Sequence, residues 1–311
     1  MSKSEKKNPS EKELNNLIQL YNAGSNNEAE KLGVYLTQSF PNHQLAWKVL
    51  GALYKAKGDF SQSLEATKKA IEINPLDAEA YNNLANSMFD LSKAEEAEKY
   101  YKKAIEINPK TSEFHNNLGR LFVRYGRLDE AELCFKESIE LKLNYASPHA
   151  NFGEMLKSIG RISEAEESFK RAIAIEPKNA NYYVSLGLVE REFGRYVDAE
   201  TSYRKALALD PKNPHAHYNL GIVLFEHRHY EEAATHFNLT NQSHSKSFEL
   251  KCYYLMDEQS IFYKKLDNMV NEGRVDAVIG SLSCRSEIRY GVKKTNPFCN
   301  DPLKYVSKTD L

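Results

Sequence analysis

The chain has 311 residues, a formal net charge of −1 at pH 7 and 27% charged residues. Because the two signs of charge nearly cancel, the composition does not favour a protein that binds nucleic acid or an anionic membrane surface. The sequence contains no apolar run of about 18 residues that could span a membrane. Its first residues, MSKSEKKNPSEKE, lack the apolar core of a secretory signal, and its four cysteines form no Cys-x-x-Cys pair. These features predict a reduced cytoplasmic protein.

The N-terminal part of the chain holds a weak version of a pattern that becomes clear later. Residues 1–9 are polar and charged, and we expect them to be disordered. Residues 10–43 keep Gly24 at a turn, Ala29 within a helix and Pro41 at the end, but Asn16 and Gly33 stand where larger apolar residues are expected. Since one side of a terminal repeat faces water, we interpret residues 10–43 as a degenerate capping repeat.

Residues 44–245 contain six repeats of 34 residues. An aromatic residue or histidine opens each repeat: Trp47, Tyr81, His115, His149, Tyr183 and His217. In five of the repeats an alanine followed four residues later by Tyr or Phe marks the second half, as in Ala97 with Tyr101 and Ala131 with Phe135. A proline ends four of the six repeats, whereas Leu143 stands there in the third and Ser245 in the sixth. Each repeat therefore predicts two amphipathic helices joined by a turn, and the fold class is all-α.

This pattern resembles the tetratricopeptide repeat (TPR), whose W-x2-L-G-x2-Y, A-x3-F and P positions it matches over about two-thirds of the chain. The resemblance implies a solenoid, in which antiparallel helix pairs stack into a right-handed superhelix. Glycine recurs in the middle of the first helices, where it costs about 1 kcal/mol relative to alanine. We therefore expect each glycine to allow a close approach by the Tyr or Phe of the second helix.

The period fades towards the C-terminus. Residues 246–291 are expected to form capping helices, and Val275, Val278, Ile279 and Leu282 have the spacing of an amphipathic helix. Residues 292–311 contain two prolines and no helical pattern, so an extended tail is predicted.

The tail carries a second resemblance. AVIGSL at 277–282, IRYG at 288–291 and NPFCNDPLKYV at 296–306 are similar to the junction, in some bacterial proteins, between a TPR array and a 2-oxoglutarate/Fe(II) oxygenase-like domain. That domain needs His-x-Asp and a distal histidine, and no histidine follows His244. The resemblance implies a recognition arm without its catalytic half.

Motifs for chemistry are lacking in the sequence. There is no Gly-x-Ser-x-Gly, phosphate-binding loop or His-Glu-x-x-His. His115, His149 and His217 share the aromatic repeat position, which favours packing over metal ligation, and His229-Tyr230-Glu231 is interpreted as a solvated turn. We expect no catalytic residue, no metal and no cofactor.

Asparagines in the first helices are the leading candidates for a binding site. Two residues after the opening position, four of six repeats carry asparagine: Asn83, Asn117, Asn151 and Asn219. An asparagine side chain offers two donors and an acceptor, so an array of them can hold a peptide by its backbone. The arrangement resembles the asparagine ladder of the O-linked N-acetylglucosamine transferase, and asparagine here can also be a general feature of such repeats. Further polar candidates in the predicted groove are Asn82, Asn116, Asn86, Arg120, Arg124, Lys157 and Arg191.

The sequence thus predicts a non-catalytic scaffold that binds a protein or an extended peptide in its concave groove. A carboxylate clamp for chaperone tails is disfavoured, because Ala52 stands four residues after Lys48 where asparagine is required. Two alternatives stay open. The chain is the substrate-recruiting arm of a larger modifying enzyme, either an oxygenase or a glycosyltransferase, or it is an assembly adaptor that uses its outer face. Neither the partner nor the oligomeric state follows from the sequence.

Overall fold

The computed structural model describes residues 8–240 and 243–271. Within these residues the chain forms sixteen α-helices and no strand, which confirms the all-α prediction. The predicted extended tail, the amphipathic helix from Val275 to Leu282 and the oxygenase-like junction lie outside the described residues, as does most of the predicted disordered start.

The helices alternate as first and second members of antiparallel pairs. The first helices are α1 (Glu11–Asn22), α3 (Gln44–Ala56), α5 (Ala78–Asp90), α7 (Ser112–Arg124), α9 (Ala146–Ser158), α11 (Ala180–Glu192), α13 (Pro214–Glu226) and α15 (Ser243–Leu255). The second helices are α2 (Asn26–Ser39), α4 (Phe60–Ile73), α6 (Ala94–Ile107), α8 (Leu128–Leu141), α10 (Ile162–Ile175), α12 (Tyr196–Leu209), α14 (Tyr230–Asn238) and α16 (Gln259–Asn271).

The chain divides into two compact units, residues 1–155 and residues 156–311, and the boundary falls within α9. From α1 to α8 each helix packs against the next one, and the first helices α1, α3, α5 and α7 also contact one another in order. The second unit repeats this arrangement, with α11 against α13. Each unit is therefore a stack of helix pairs.

The turn inside each pair uses a residue with a left-handed backbone. Gly58 has φ +79° and closes the end of α3, where its N–H donates to the carbonyl of Lys55 at 3.0 Å. Glycine occupies the equivalent position in most pairs because it has no Cβ to clash there. Ser92 (φ 60°) and Arg228 (φ 62°) take this conformation in two other pairs.

The core is built from the alanine and aromatic positions of the second helices. Ala97, Tyr101, Ala131 and Phe135 are at most 1% exposed, and the later repeats match them. A Cβ added to Gly119 would lie 2.8 Å from a ring carbon of Phe135. Gly187 and Gly221 face the rings of their own repeats at similar distances. The prediction that glycine admits the aromatic ring is thus confirmed at these positions.

The last helices depart from the regular lengths. Helix α14 ends at Asn238, and α15 begins at Ser243. Helices α15 and α16 pack together through a separate apolar cluster that includes Leu250, Phe262 and Leu266. Among the described helices, none has the length and apolar character needed to cross a membrane.

Candidate functional site

Asparagine side chains link successive first helices in the first unit. The Nδ2 group of Asn117 on α7 donates to Oδ1 of Asn82 on α5 at 3.0 Å. In the same way, Nδ2 of Asn151 on α9 donates to Oδ1 of Asn116 on α7 at 2.9 Å. Both acceptors are buried, with 3% exposure. Because buried amides need partners, these bonds hold neighbouring repeats in register.

This arrangement divides the predicted peptide-binding residues into two groups. Asn82 and Asn116, which are predicted to line a groove, are each 3% exposed and accept the bonds between repeats. Asn117 is only 7% exposed and already uses one amide hydrogen. Asn83 is exposed and Asn151 is half-buried. The predicted asparagines on the first helices are therefore not equivalent, and among Asn83, Asn117 and Asn151 the exposed one is Asn83.

Two adjoining depressions lie on either side of Asn83. One has a volume of about 450 Å³ and opens between α3, α4 and α5. The other has a volume of about 700 Å³ and extends past α5 to Thr111 and to Phe114 at the start of α7. Lys48 and Asn83 line both depressions, so the two form one polar channel across the first helices of this unit.

A charged cluster stands where the two depressions meet. The Nζ group of Lys48 lies 2.9 Å from a carboxylate oxygen of Asp77 and 3.0 Å from one of Glu79. Gln44 donates to the same oxygen of Asp77 at 2.7 Å. Burial acts to raise the pKa of Asp77, but hydrogen bonds from Lys48 and from the backbone N–H of Ala80 outweigh it, and the pKa lies below its ordinary value. The carboxylate thus stays ionised and fixes the position of Lys48.

Two arginines of α7 lie against Phe89 near the C-terminal end of α5. The guanidinium of Arg124 lies 4.8 Å from the ring centroid of Phe89 and donates to the carbonyl of Phe89 and the hydroxyl of Ser92, both at 2.9 Å. Arg120 lies over the same ring at 5.6 Å and is exposed. Arg124 therefore caps a helix end, whereas the donors of Arg120 face solvent.

The remaining predicted site residues, Asn86, Lys157, Arg191 and Asn219, do not share a common set of contacts. Asn86 is half-buried and accepts a hydrogen bond of 2.6 Å from the hydroxyl of Tyr101. In the second unit, Nη1 of Arg191 donates to Oδ1 of Asn219 at 3.3 Å, and Asn219 donates to the carbonyl of His215 at 2.9 Å. Lys157 is half-buried on α9. Asn219 thus has its donor and its acceptor engaged within its own unit.

The histidines at the opening position act as hydrogen-bonding groups. Nε2 of His115 lies 2.8 Å from the carbonyl of Pro109, and Nε2 of His217 lies 3.0 Å from that of Pro211. Trp47 makes the corresponding bond to Pro41 at 2.8 Å. The hydroxyl of Tyr183 does the same with the carbonyl of Pro177 at 3.2 Å, so Trp, His and Tyr can all occupy this position. Over the residues that the structure describes, no three His, Cys, Asp or Glu side chains are grouped so as to hold a metal ion.

Several residues around Asn83 were missed by the sequence interpretation. Gln44, Asp77 and Lys55 carry no repeat signature, and only their spatial neighbours reveal their roles. Thr67 did have a signal, because it stands 34 residues before Tyr101, where an aromatic residue is expected. The asparagine bonds also left a signal in the sequence, since the bonded residues are separated by 35 rather than 34 positions.

The fold and the repeat contacts define a helical-repeat scaffold of the kind that mediates protein interactions. Models of the tetratricopeptide repeat match residues 76–144 and 146–179, and a further TPR repeat model matches residues 51–92 and 187–227. Together these matches cover more than half of the chain, which belongs to the tetratricopeptide repeat family.

Solved structures show the same fold at low sequence identity. A chain of the APC/C hetero-tetramer Cut9–Hcn1 aligns with a TM-score of 0.64 and 18% identity, covering 76% of this chain and 48% of that one. This chain therefore spans about half the length of that relative. PilF of Pseudomonas aeruginosa aligns with a TM-score of 0.59 and 18% identity, covering 67% of this chain and 97% of PilF. A tetratricopeptide repeat protein from Parabacteroides merdae aligns with a TM-score of 0.59 and 18% identity, covering 77% and 96% of the two chains. No curated protein matches in sequence.

Proposed function

We propose that the first unit binds an extended segment of a partner protein along its first helices. The observation that carries this proposal is the polar channel formed by the two depressions that share Lys48 and Asn83. A channel that crosses successive helices suits an extended chain, and its depth provides places for side chains. In this role the protein acts by binding and carries out no chemistry of its own.

The chemistry of the channel supports recognition of a peptide backbone. Asn83 is exposed, so its amide can donate to a backbone carbonyl and accept from a backbone N–H. Asn151, half-buried on α9, keeps one amide hydrogen beyond the one that it gives to Asn116. These groups recognise features that all peptides share. Selectivity then has to come from the depressions on either side of them.

A peptide library displayed on phage provides the test, because no partner needs to be known in advance. Peptides recovered on the full chain would be measured by fluorescence anisotropy against the unaltered protein and against Asn83→Ala. Loss of a backbone-directed amide is expected to weaken binding by about tenfold, which corresponds to about 1.4 kcal/mol. Asn27→Ala is the matched control, because Asn27 is exposed on α2, a second helix.

Two outcomes would contradict the proposal. If no peptide is recovered, the channel does not bind extended chains. If recovered peptides bind Asn83→Ala and Asn27→Ala as tightly as the unaltered protein, they bind another surface. The two alternative roles make different predictions. An adaptor that uses its outer face would lose its partner through substitutions on the second helices, and the role of recruiting arm depends on the tail outside the described residues.

A further inference from the structure

Helix α4 lacks the pair of residues that fills the core of the later repeats. Five second helices carry an alanine and, four residues later, a Tyr or Phe that is at most 1% exposed: Tyr101, Phe135, Phe169, Tyr203 and Phe237. In α4 these two positions are Ser63 and Thr67. The first full repeat therefore lacks the large ring that the other five contain.

The place of the missing ring is known from the repeats that have one. A Cβ on Gly187 would lie 2.6 Å from a ring carbon of Tyr203, and one on Gly221 would lie 2.8 Å from a ring carbon of Phe237. The equivalent glycine of the first full repeat, Gly51, instead faces the hydroxyl of Thr67, 2.7 Å from an added Cβ. Thr67 reaches the start of the ring position, and its short side chain leaves the rest unfilled.

The depression of about 450 Å³ lies at this position. Gly51, Ser63 and Thr67 form one wall, and Ala80, Asn83 and Ser87 of α5 form the opposite wall. A closed apolar cavity of about 150 Å³ is enough to hold benzene. The depression thus has room for an aromatic side chain together with part of the backbone that carries it.

The polar groups in the walls do not oppose entry of a ring. The hydroxyl of Ser63 donates to the carbonyl of Gly51 at 2.8 Å, and that of Thr67 donates to the carbonyl of Ser63 at 2.8 Å. Ser87 donates to the carbonyl of Asn83 at 3.1 Å. Because these hydrogens already have acceptors, covering them with a ring leaves no donor unsatisfied.

Two lysines, Lys48 and Lys55, are among the residues that line the depression. Lys48 is already held by Asp77 and Glu79, so Lys55 is the cation considered for a ligand. The ammonium of Lys55 lies 3.1 Å from Asp90, and the two side chains are 34% and 38% exposed. Such an exposed pair is weak, so a carboxylate from a ligand can compete with Asp90 for Lys55.

We propose that this depression, which we call the ring pocket, receives the aromatic side chain of an acidic segment in an extended partner peptide. The ring takes the place that Tyr101 and its counterparts occupy in the later repeats, and an adjacent acidic residue pairs with Lys55. This inference rests on the proposed function, because the ring pocket is one end of the channel beside Asn83. It adds the class of sequence that the channel selects.

Three short peptides test the proposal on the full chain. The probes are Ac-Glu-Phe-Glu-NH2, Ac-Glu-Ala-Glu-NH2 and Ac-Lys-Phe-Lys-NH2, titrated while the alanine methyl signals of Ala52 and Ala80, which line the ring pocket, are followed by NMR. The first peptide is expected to shift both methyl signals and to bind about tenfold more tightly than the other two. Equal affinity of the Phe and Ala peptides would overturn the assignment of the ring. Equal affinity of the Glu and Lys peptides would overturn the choice of an acidic segment.

Two substitutions of the same residue complete the test. Thr67→Phe supplies the missing ring from the protein itself and is expected to abolish the methyl shifts caused by Ac-Glu-Phe-Glu-NH2. Thr67→Val loses the hydrogen bond to the carbonyl of Ser63 but does not fill the ring pocket, so binding should stay within about twofold of the unaltered protein. Circular dichroism melting shows whether each variant is folded, and the comparison of peptides on the unaltered chain stands even if Thr67→Phe does not fold.

The outcomes separate this inference from the proposed function. If phage-selected peptides bind Thr67→Phe as tightly as the unaltered chain but bind Asn83→Ala more weakly, the channel is confirmed and the ring pocket is overturned. If the unaltered chain dimerises in sedimentation experiments and Thr67→Phe abolishes the dimer, the occupant is a second copy of this chain, and the assignment to a partner peptide is overturned.

Discussion

Asn117 donates its amide hydrogen to the side-chain oxygen of Asn82, an acceptor that lies 35 residues earlier and is buried. The bond joins the first helices of two successive repeats. Asn83, the direct neighbour of Asn82, is exposed and lines the proposed peptide channel. Two adjacent asparagines therefore differ in role, since Asn82 joins two repeats and Asn83 lines the proposed channel.

We expect Asn82→Ala to lower the free energy of unfolding by about 1–3 kcal/mol, because the amide of Asn117 then lacks its buried acceptor. Urea denaturation of the full chain measures the change. Asn83→Ala is the matched control, and its stability should stay within about 0.5 kcal/mol of the unaltered chain, as expected for an exposed position. The double substitution Asn82→Ala/Asn117→Ala should cost less than the sum of the single ones. Strict additivity would show that the bond contributes nothing.

The tyrosines of the second helices differ in how their hydroxyls are satisfied. Tyr101 donates to Asn86 at 2.6 Å, whereas the hydroxyl of Tyr203 is buried with no hydrogen-bond partner among the described residues. We expect Tyr203→Phe to stabilise the chain by about 1 kcal/mol and Tyr101→Phe to destabilise it by a similar amount. Thermal and urea denaturation of the two variants measure the pair of effects. A loss of stability in Tyr203→Phe would mean that its hydroxyl has a partner, such as a bound water.

The turn after α13 offers a second stability test. Arg228 has φ 62°, at the position where Gly126 has φ 73° in an earlier repeat. A non-glycine residue in this left-handed conformation costs about 1 kcal/mol or more. Arg228→Gly should therefore raise the melting temperature, and Gly126→Ala, its counterpart, should lower it. If both substitutions shift the melting temperature in the same direction, backbone strain does not govern these turns.

A pair of histidines should make stability depend on pH. Nδ1 of His236 lies 2.9 Å from Nδ1 of His217, whose Nε2 faces the carbonyl of Pro211. Burial lowers the pKa of His236, the charge of His217 lowers it further, and Glu232 at 3.9 Å acts in the opposite direction. As the pH falls below about 6.5, His236 is therefore protonated more readily in the unfolded chain than in the native state. The native state loses stability on acidification as a result.

The effect of His236 can be isolated by substitution. We expect the unaltered chain to lose more stability between pH 7.5 and pH 5 than His236→Gln does, as measured by urea denaturation across this range. His229→Gln is the control, because His229 is exposed at the start of the same helix. If His236→Gln has the same pH dependence as the unaltered chain, other groups control the acid sensitivity.

The repeat architecture could be predicted from the sequence because its signals recur. The spacing of the Ala and Tyr/Phe positions sets the helix period, and Gly187 beside Tyr203 shows why a residue that disfavours helices is retained there. These features depend on local geometry and repeat every 34 residues. The start of α15 at Ser243 could not be derived from the repeat, because the repeat signal has already faded at that point.

The candidate site was harder to predict, because it depends on how deeply each side chain lies. Successive residues on a helix point about 100° apart, so Asn82 is buried and Asn83 is exposed although both are asparagines. Their chemistry alone cannot show which of them is buried against the next repeat. The proposed ring pocket, by contrast, exists because Thr67 has a small side chain at a position where other repeats have a ring. The alignment of Thr67 with Tyr101 already shows this difference in the sequence.

The packing of each helix against its immediate successors also affects how the protein is made. Within each unit, helices contact the next one or the next but one along the chain, and bonds such as that from Asn117 to Asn82 span little more than one repeat. Chains with such local contacts fold fast, because little loop entropy is lost before contacts form. On the ribosome, each helix pair can dock on its predecessor as soon as it emerges, so exposed apolar faces are covered early and have little time to aggregate.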